Sequence, residues 1–198
     1  MAATRTPPAD KFEARRRELA TAALQTLGEL GYARASLREI AQNSPYSHGV
    51  VHYYFADKAE LITYCVRQYK AECVTRYDAI VESAADAEEL AERFADALVM
   101  TVVEDAAMHR LWYDLRSQAQ FDVALRESAV EIDAALEQMI WRVVSRHAEL
   151  RGTDPAFPSA RIYAMLDGLF QQALLQGLSG ADGGADLRAG ALELLALR

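Results

Sequence analysis

The sequence has few of the residues that mark secreted, membrane-spanning or disulfide-bonded proteins. It contains two cysteines, Cys65 and Cys73, which would lie about 12 Å apart along a helix axis and could not form a disulfide within it. We therefore predict that both are reduced and lie in the core or at its edge. No apolar run approaches the roughly 20 residues that a membrane helix needs, and residues 1–17 lack the apolar core of a signal peptide. These absences predict a cytoplasmic protein.

Motifs for metal, phosphate and catalytic chemistry are equally scarce. The sequence has no CxxC or HExxH spacing and no Gly-rich phosphate loop, so it predicts no cofactor and no metal. His48 and His52 have the i, i+4 spacing of a metal-binding pair, but no third ligand lies nearby. His109 or His147 could be the base of a small all-α enzyme, yet neither has a nucleophile or paired acid at a telling spacing. We therefore predict a protein that is not an enzyme.

What the sequence has instead is helical periodicity. Apolar residues recur every three to four positions, and no segment alternates as a strand does. After a disordered tail at residues 1–9, the predicted helices cover residues 10–30, two short stretches that begin at Ser36 and Ser47, and residues 57–81, 86–103, 106–116, 122–150, 155–178 and 186–197. The predicted fold class is therefore all-α.

The segment from Ser36 to Lys58 has the pattern of two short helices joined by a tight turn. Ser36 and Glu39 can form a capping box at the start of the first helix. Pro45 favours a break after this first helix, because proline disfavours helical geometry in the residue before it. Ser47 can cap the second helix, whose outer side carries no acidic residue. Such a face suits the major groove of DNA, although a helical hairpin that never contacts DNA has the same pattern.

Charge is distributed unevenly along the chain. The net charge is -8, but residues 1–58 contain eight basic and six acidic residues, so the acidity lies in the remainder. This division suits a protein with one end near phosphate, and an ordinary mixed surface explains it as well. Arg15, Arg16 and Arg17 cluster near the start of the first helix, where positive charge opposes the helix dipole. Either a nearby phosphate or a solvated face would account for them.

Residues 10–62 resemble the DNA-binding domain of the TetR family of bacterial one-component regulators. The resemblance is carried, in the family's order, by Gly31-Tyr32, Ser36-Leu37-Arg38-Glu39-Ile40-Ala41, Ser47-x-Gly49, Tyr54-Phe55 and Lys58-x-x-Leu61. It implies an N-terminal three-helix helix-turn-helix DNA-binding domain at residues 10–58. A C-terminal helical ligand-binding and dimerisation domain would follow at residues 59–198.

The resemblance also implies which residues contact DNA. They are Ser36, Arg38, Ser47, His48, Gly49, Val50, His52, Tyr53 and Lys58. The first two would lie near the DNA backbone at the start of the supporting helix, and the next six would lie on the recognition helix. Val50 could touch a thymine methyl group, and Lys58 would hold a phosphate.

The sequence departs from the family pattern at two positions. Pro45 stands in the turn, where the family usually has glycine, and His52 stands where the family often has tyrosine. Because proline cannot take a left-handed conformation, we expect Asn43 to take it instead. A histidine at position 52 can still donate a hydrogen bond to phosphate, more strongly when it is protonated.

The middle helices carry the candidate effector contacts. They are Met100, His109, Trp112, Tyr113, Arg116 and Met139, together with Phe170 from a later helix. His109, Tyr113 and Arg116 can share a helix face at i, i+4 and i+7, and buried polar groups there need partners that a ligand could supply. The alternatives are ordinary core packing and, for Arg116, an ion pair with Glu104 or Asp105.

These features and the resemblance predict a homodimeric repressor of the cytoplasm, associated with the nucleoid and released from double-stranded operator DNA by a small-molecule effector. The last two helices, at about 155–178 and 186–197, are rich in apolar residues, and the resemblance implies that they form the dimer interface. They could instead pack only within their own domain. The alternatives to a ligand-released repressor are an effector-independent regulator and an activator.

Overall fold

Every regular element in the described part of the chain, residues 8–197, is an α-helix in the computed structural model. The all-α fold class is therefore confirmed. The helices are α1 (Pro8–Arg34), α2 (Leu37–Gln42), α3 (His48–Tyr54), α4 (Lys58–Cys73), α5 (Asp78–Ser83), α6 (Ala87–Glu104), α7 (Ala106–Gln118), α8 (Val123–Arg151), α9 (Ser159–Leu178) and α10 (Gly183–Ala196). The predicted tail lies outside the described residues except for positions 8 and 9, which already belong to α1.

The helices contribute to two compact units. The first unit runs to Tyr69 and includes Arg110–Ala129, and the second comprises Lys70–His109 and Val130–Arg198. In the first unit α1, α2 and α3 pack on one another, and in the second α10 packs on α6 and α9. The predicted division into a DNA-binding domain at 10–58 and an effector domain at 59–198 stays a prediction.

The end of the first predicted helix is confirmed at Gly31. This residue has φ 72° and ψ 175°, which interrupts α1 before a last turn to Arg34. Side chains with a Cβ rarely adopt such a φ. A Cβ at this position would also lie 3.2 Å from Oδ2 of Asp114. Glycine therefore lets the chain turn sharply from α1 towards α2.

The core of the first unit follows the predicted apolar pattern. Leu27 of α1, Ile40 of α2, Val51 of α3 and Leu61 of α4 are all buried. Cys65 is also buried, and its thiol donates to the carbonyl oxygen of Ala20. Cys73, in the second unit, is likewise a buried free thiol. Among the helices of the described chain, none is long and apolar enough to cross a membrane.

The predicted continuous helix from residue 57 to residue 81 is wrong, because α4 ends at Cys73 and α5 begins at Asp78. Between them the hydroxyl of Thr75 donates to the carbonyl of Glu72 at 3.2 Å, a local bond that competes with the helical ladder. Arg142 of α8 donates to the carbonyl of Val74 and to the carboxylate of Asp78 at 2.9 Å. Contacts between distant segments therefore stabilise this turn.

The predicted starts of the last two helices are also wrong. Residues 155–158, where the helix is predicted to begin, lie in a loop, and α9 begins only at Ser159. Pro158 disfavours helical geometry in the residue before it and delays the helix. The last helix begins earlier than expected, at Gly183, where Asp182 accepts from two backbone N–H groups.

Candidate functional site

The helix α3 has hydrogen bonds at both ends, and it begins at the capping serine that the sequence predicts. The hydroxyl of Ser36 accepts a hydrogen bond from the backbone N–H of Glu39 at 3.2 Å and begins α2. The hydroxyl of Ser47 accepts from the N–H of Val50 at 3.4 Å and begins α3. At the other end, the N–H of Phe55 donates to the carbonyl of Val51. The first two bonds confirm the predicted caps at Ser36 and Ser47.

The outer face of α3 is exposed and free of acidic side chains. His48, Gly49 and His52 are exposed, Val50 is partly exposed, and 72% of Tyr53 is accessible to solvent. The rings of His48 and His52 lie edge to face with their centroids 4.4 Å apart. A Cβ on Gly49 would meet no atom within 4 Å. This face therefore presents hydrogen-bonding rings beside a backbone that another molecule can approach closely.

The turn before α3 is built differently from the predicted turn. Asn43 has φ -95° and ψ 11°, so the expectation of a left-handed Asn43 is wrong. No residue other than glycine has a positive φ in the described backbone. Ser44 shapes the turn instead, since its hydroxyl donates to the carbonyl of Ala41 at 3.2 Å and accepts from the N–H of Tyr46 at 3.3 Å. The serine side chain therefore shapes a turn in which the family usually has glycine. Pro45 lies between Ser44 and Tyr46, which are joined by one of these bonds.

The remaining predicted DNA contacts lie at the starts of α2 and α4. Ser36 and Arg38 are exposed at the first turn of α2. Lys58 is partly exposed at the first residue of α4. Asp57 caps this helix, because its carboxylate accepts from the N–H of Glu60 at 2.8 Å. The structure therefore assembles all nine predicted residues on α2, α3 and the helix starts beside them.

The arginines near the start of α1 have partners within the first unit. Arg15 bonds Glu18 at 2.6 Å, and its guanidinium lies 4.9 Å from the ring centroid of Tyr46. Arg16 bonds Glu60 of α4 at 2.6 Å. The sequence left open whether a phosphate or a solvated face explains this cluster. The protein's own carboxylates bind two of the three guanidinium groups.

The predicted effector residues are divided between the two units. Trp112, Tyr113 and Arg116 belong to the first unit, where Trp112 is buried and the other two are partly buried. The other four belong to the second unit: Met100, His109, Met139 and Phe170. Arg116 is therefore in a different unit from both of its predicted ion-pair partners, Glu104 and Asp105.

Within the second unit, only part of the predicted set comes together. The rings of His109 and Phe170 lie 4.6 Å apart between centroids, and Met139 is buried on α8. Met100 is 57% exposed on α6. Asp105 bonds Arg76 at 2.7 Å instead. The assignment of all seven residues to an effector stays a prediction.

A buried lysine accompanies His109 and is missing from the predicted set. Nζ of Lys70 lies 3.3 Å from Nδ1 of His109, and the two residues are only 3% and 6% exposed. Burial lowers the pKa of Lys70 to about 8. Burial, followed by the positive charges of Lys70 and Arg76, lowers the pKa of His109 to about 2. At neutral pH the imidazole is therefore neutral and accepts from the ammonium group.

The sequence does contain a signal for Lys70. It lies four residues after Val66 and three residues before Cys73, and both of these are buried. This spacing places Lys70 on the inward stripe of α4. A charged residue on such a stripe needs a polar partner inside the protein.

Comparison with known families identifies the class of protein as the helix-turn-helix transcriptional regulators. Two family models match the chain. Residues 19–65 match the bacterial regulatory proteins of the tetR family, and residues 87–196 match the C-terminal domain of the BetI-type transcriptional repressors. The second match covers more than half of the chain. The chain belongs to the TetR family of transcriptional regulators, which are not enzymes.

One curated relative and two solved structures illustrate what the chain is similar to. The transcriptional regulator BetI of Stenotrophomonas maltophilia is 40% identical over 68 residues, which are 33% of this chain and 35% of that protein. A putative regulator of Saccharomonospora viridis in complex with choline has a TM-score of 0.75 at 17% identity, over 92% of this chain and 96% of that one. FadR of Bacillus subtilis in complex with stearoyl-CoA has a TM-score of 0.70 at 19% identity, over 90% and 96%. At these identities, both structural likenesses concern the fold alone.

The buried imidazole makes a testable contribution to acid sensitivity. In the unfolded chain His109 binds a proton as the pH falls through about 6.5, whereas its folded pKa is about 2. Above pH 6.5 neither state is protonated, so the loss of stability begins below that value. It amounts to at most about 1.4 kcal/mol per pH unit. Lys70 adds nothing to this slope, because it is charged in both states below pH 6.5.

We expect the substitution His109→Gln to remove this contribution. Urea unfolding of wild type and variant between pH 5 and pH 7.5 gives the two free-energy profiles. The wild-type profile should fall more steeply than the variant profile below pH 6.5 and run parallel to it above. Parallel profiles throughout the range would contradict a neutral, buried His109.

Proposed function

We propose that this chain is a homodimeric repressor that binds operator DNA through residues 36–58 and dissociates from it when a small-molecule effector binds. The observation that carries the proposal is the outer face of α3. It is exposed, carries no acidic side chain and projects His48, His52 and Tyr53 beside an accessible Gly49 backbone. In a member of a family of transcriptional regulators, such a face suits the major groove.

The proposed DNA contacts divide by chemistry. Ser36, Arg38 and Lys58 lie at helix starts, where hydroxyl, guanidinium and ammonium groups suit phosphate oxygens. The imidazoles of His48 and His52 and the hydroxyl of Tyr53 can donate hydrogen bonds beyond the backbone of α3, to base edges or to phosphate. The hydroxyl of Ser47 already accepts a bond within its own helix, and it still has a proton to donate.

Substitutions at His52 and Lys58 test the proposed contacts. A duplex that the wild-type protein selects from a random-sequence pool serves as the probe. We expect His52→Ala and Lys58→Ala each to weaken binding roughly tenfold, because each removes a hydrogen bond or an ion pair with DNA. The Lys58 variant should also lower the slope of log affinity against log salt by about one.

The matched control for Lys58 is Arg110→Ala. Arg110 is an exposed cation on α7 of the same unit, so this variant loses the same charge away from the proposed interface. Unchanged affinity of the His52 and Lys58 variants would contradict the assigned contacts. Transcription in vitro from a promoter that carries the selected site should decrease when the wild-type protein is added. An increase would contradict repression.

The proposed dimer is supported by the exposed face of α9. Met165, Leu175 and Leu178 are 41%, 62% and 53% exposed on this helix. Gly168 lies on the same face, and a Cβ added there would meet no atom within 4 Å. A small residue within an apolar stripe lets a second helix approach closely. This stripe therefore suits an isologous interface between two copies of the chain.

The substitution Gly168→Arg tests this interface. In a monomer the arginine would extend into open space and raise the helix propensity, so the protein should stay folded. In the dimer it should clash, and light scattering after size-exclusion chromatography should then detect monomers. Gly177→Arg is the control, since a Cβ at this glycine also meets no atom within 4 Å. Gly177 lies about two and a half turns after Gly168 and so faces the opposite side of α9. A dimeric Gly168 variant would contradict the proposed interface.

For the effector, we carry forward His109, Met139 and Phe170 of the second unit. The first and last of these have adjacent rings, and Lys70 supplies a donor beside them. Such a combination of apolar and convergent polar groups suits a small organic ligand. Met100, Trp112, Tyr113 and Arg116 remain sequence-based candidates for the same ligand.

A thermal-shift titration against small metabolites tests ligand response, with choline and stearoyl-CoA as the first probes because structures of similar fold contain them. A true effector should raise the midpoint of unfolding as its concentration rises, because it binds only the folded state. It should also weaken binding of the selected duplex, since a ligand shifts an equilibrium only by its differential affinity. A ligand that stabilises the protein without changing DNA affinity would contradict release.

A further inference from the structure

We propose that Arg16 is a positioning residue for DNA recognition, which acts by fixing the junction between α3 and α4. This inference rests on the DNA-binding role proposed above and adds a residue that lies outside the nine contacts. Three separate interactions connect Arg16 of α1 to this junction. All of them lie within the first unit.

The first interaction is an ion pair with the start of α4. Arg16 bonds Oε1 of Glu60 at 2.6 Å, and the other carboxylate oxygen accepts from the N–H of Ala56 at 2.8 Å. The N–H of Glu60 in turn donates to Asp57 at 2.8 Å. One carboxylate therefore connects α1 to the peptide between the two helices. A charge-assisted bond of this geometry restricts position as well as adding energy.

The other two interactions are with aromatic rings. The guanidinium carbon of Arg16 lies 4.7 Å from the ring centroid of Phe55 and 4.8 Å from that of Tyr64. Both distances are within the range of cation–π attraction. Phe55 is fully buried and is the C-terminal cap of α3, whereas Tyr64 lies on α4. Arg16 therefore contacts the end of one helix and the first turns of the next.

The side chain of Tyr64 is held independently of Arg16. Its hydroxyl donates to the carboxylate of Glu13 at 2.7 Å. Burial and this carboxylate raise the pKa of Tyr64, so the phenol stays protonated and keeps donating. The rings of Tyr64 and Phe55 also lie 5.5 Å apart, edge to face. The Tyr64 ring that Arg16 contacts is therefore also bonded to Glu13 of α1 and packed against Phe55.

Burial argues against a direct phosphate contact by Arg16. Only 19% of its side chain is exposed, and Nε is buried without a hydrogen-bond partner among the described residues. Arg15, by comparison, is 44% exposed and pairs within its own helix. The Arg16 guanidinium is therefore largely shielded from solvent and contacts the end of α3 through Phe55. Tyr53 and His52 lie two and three residues before Phe55, so a shift of this end displaces them.

The substitution Glu60→Gln separates positioning from simple electrostatics. It removes a negative charge from the DNA-binding unit, so electrostatics alone predicts tighter binding of the selected duplex. Loss of the Arg16 pair predicts weaker binding instead, by about threefold to thirtyfold. Arg16→Gln should weaken binding by a similar factor with an unchanged salt slope, because no phosphate contact is lost. The double variant should be no weaker than either single variant.

Several controls keep the outcomes distinct. Arg110→Gln loses the same charge as Arg16→Gln and should keep wild-type affinity. Circular dichroism at the assay temperature establishes that each variant is folded, and Arg16→Lys, which keeps the charge, should recover part of the affinity. Tighter binding by Glu60→Gln, or a salt slope lowered by one in Arg16→Gln, would overturn the positioning role. Failure of the wild-type protein to select any duplex would instead overturn the proposed DNA-binding function.

Discussion

A helix of seven residues cannot hold its own shape, and the N-terminal unit is built around this constraint. Helices shorter than about 12 residues are marginal in water even for sequences with high helix propensity. The α3 helix runs only from His48 to Tyr54. Its conformation therefore depends on its neighbours: a cap at Ser47, a buried Val51 and a fixed exit through Phe55. The side chains that face outwards stay free for another molecule because the support comes from the inner side and the ends.

The sequence predicts the parts of this arrangement that depend on local chemistry. The serine caps at positions 36 and 47 are confirmed, because an N-cap bond joins residues only two or three positions apart. The stop at Gly31 is confirmed for the same reason, since left-handed geometry selects glycine within a single residue. The predicted conformation of the turn at Pro45 is wrong, because Asn43 is not left-handed. Either a left-handed residue or a serine hydroxyl can shape such a turn, and the sequence pattern alone did not distinguish them.

Some of the errors elsewhere involve contacts between segments that are separate in the sequence. The break between α4 and α5 is held by Arg142, which is more than sixty positions away from Val74, and no local pattern indicates that bond. The early start of α10 combines the local cap at Asp182 with a packing contact, since a Cβ at Gly183 would lie 2.4 Å from the carbonyl oxygen of Ala173. In a sequence pattern glycine favours a loop, yet Gly183 permits α10 to start in close contact with α9. The partner of Lys70 is hidden in the same way, since His109 lies on another helix.

Two arginines of the N-terminal region form ion pairs with carboxylates of the same unit. These pairs reduce the number of cations that the region can offer to DNA phosphates. Residues 1–58 carry eight basic side chains, but Arg15 and Arg16 are neutralised by Glu18 and Glu60. Non-specific affinity for DNA depends on the number of phosphates that cations neutralise. A region whose arginines bind its own carboxylates releases fewer counterions than its composition suggests. If α3 has the proposed role, discrimination between DNA sequences depends more on the placement of its side chains, and so on the contacts that fix this helix.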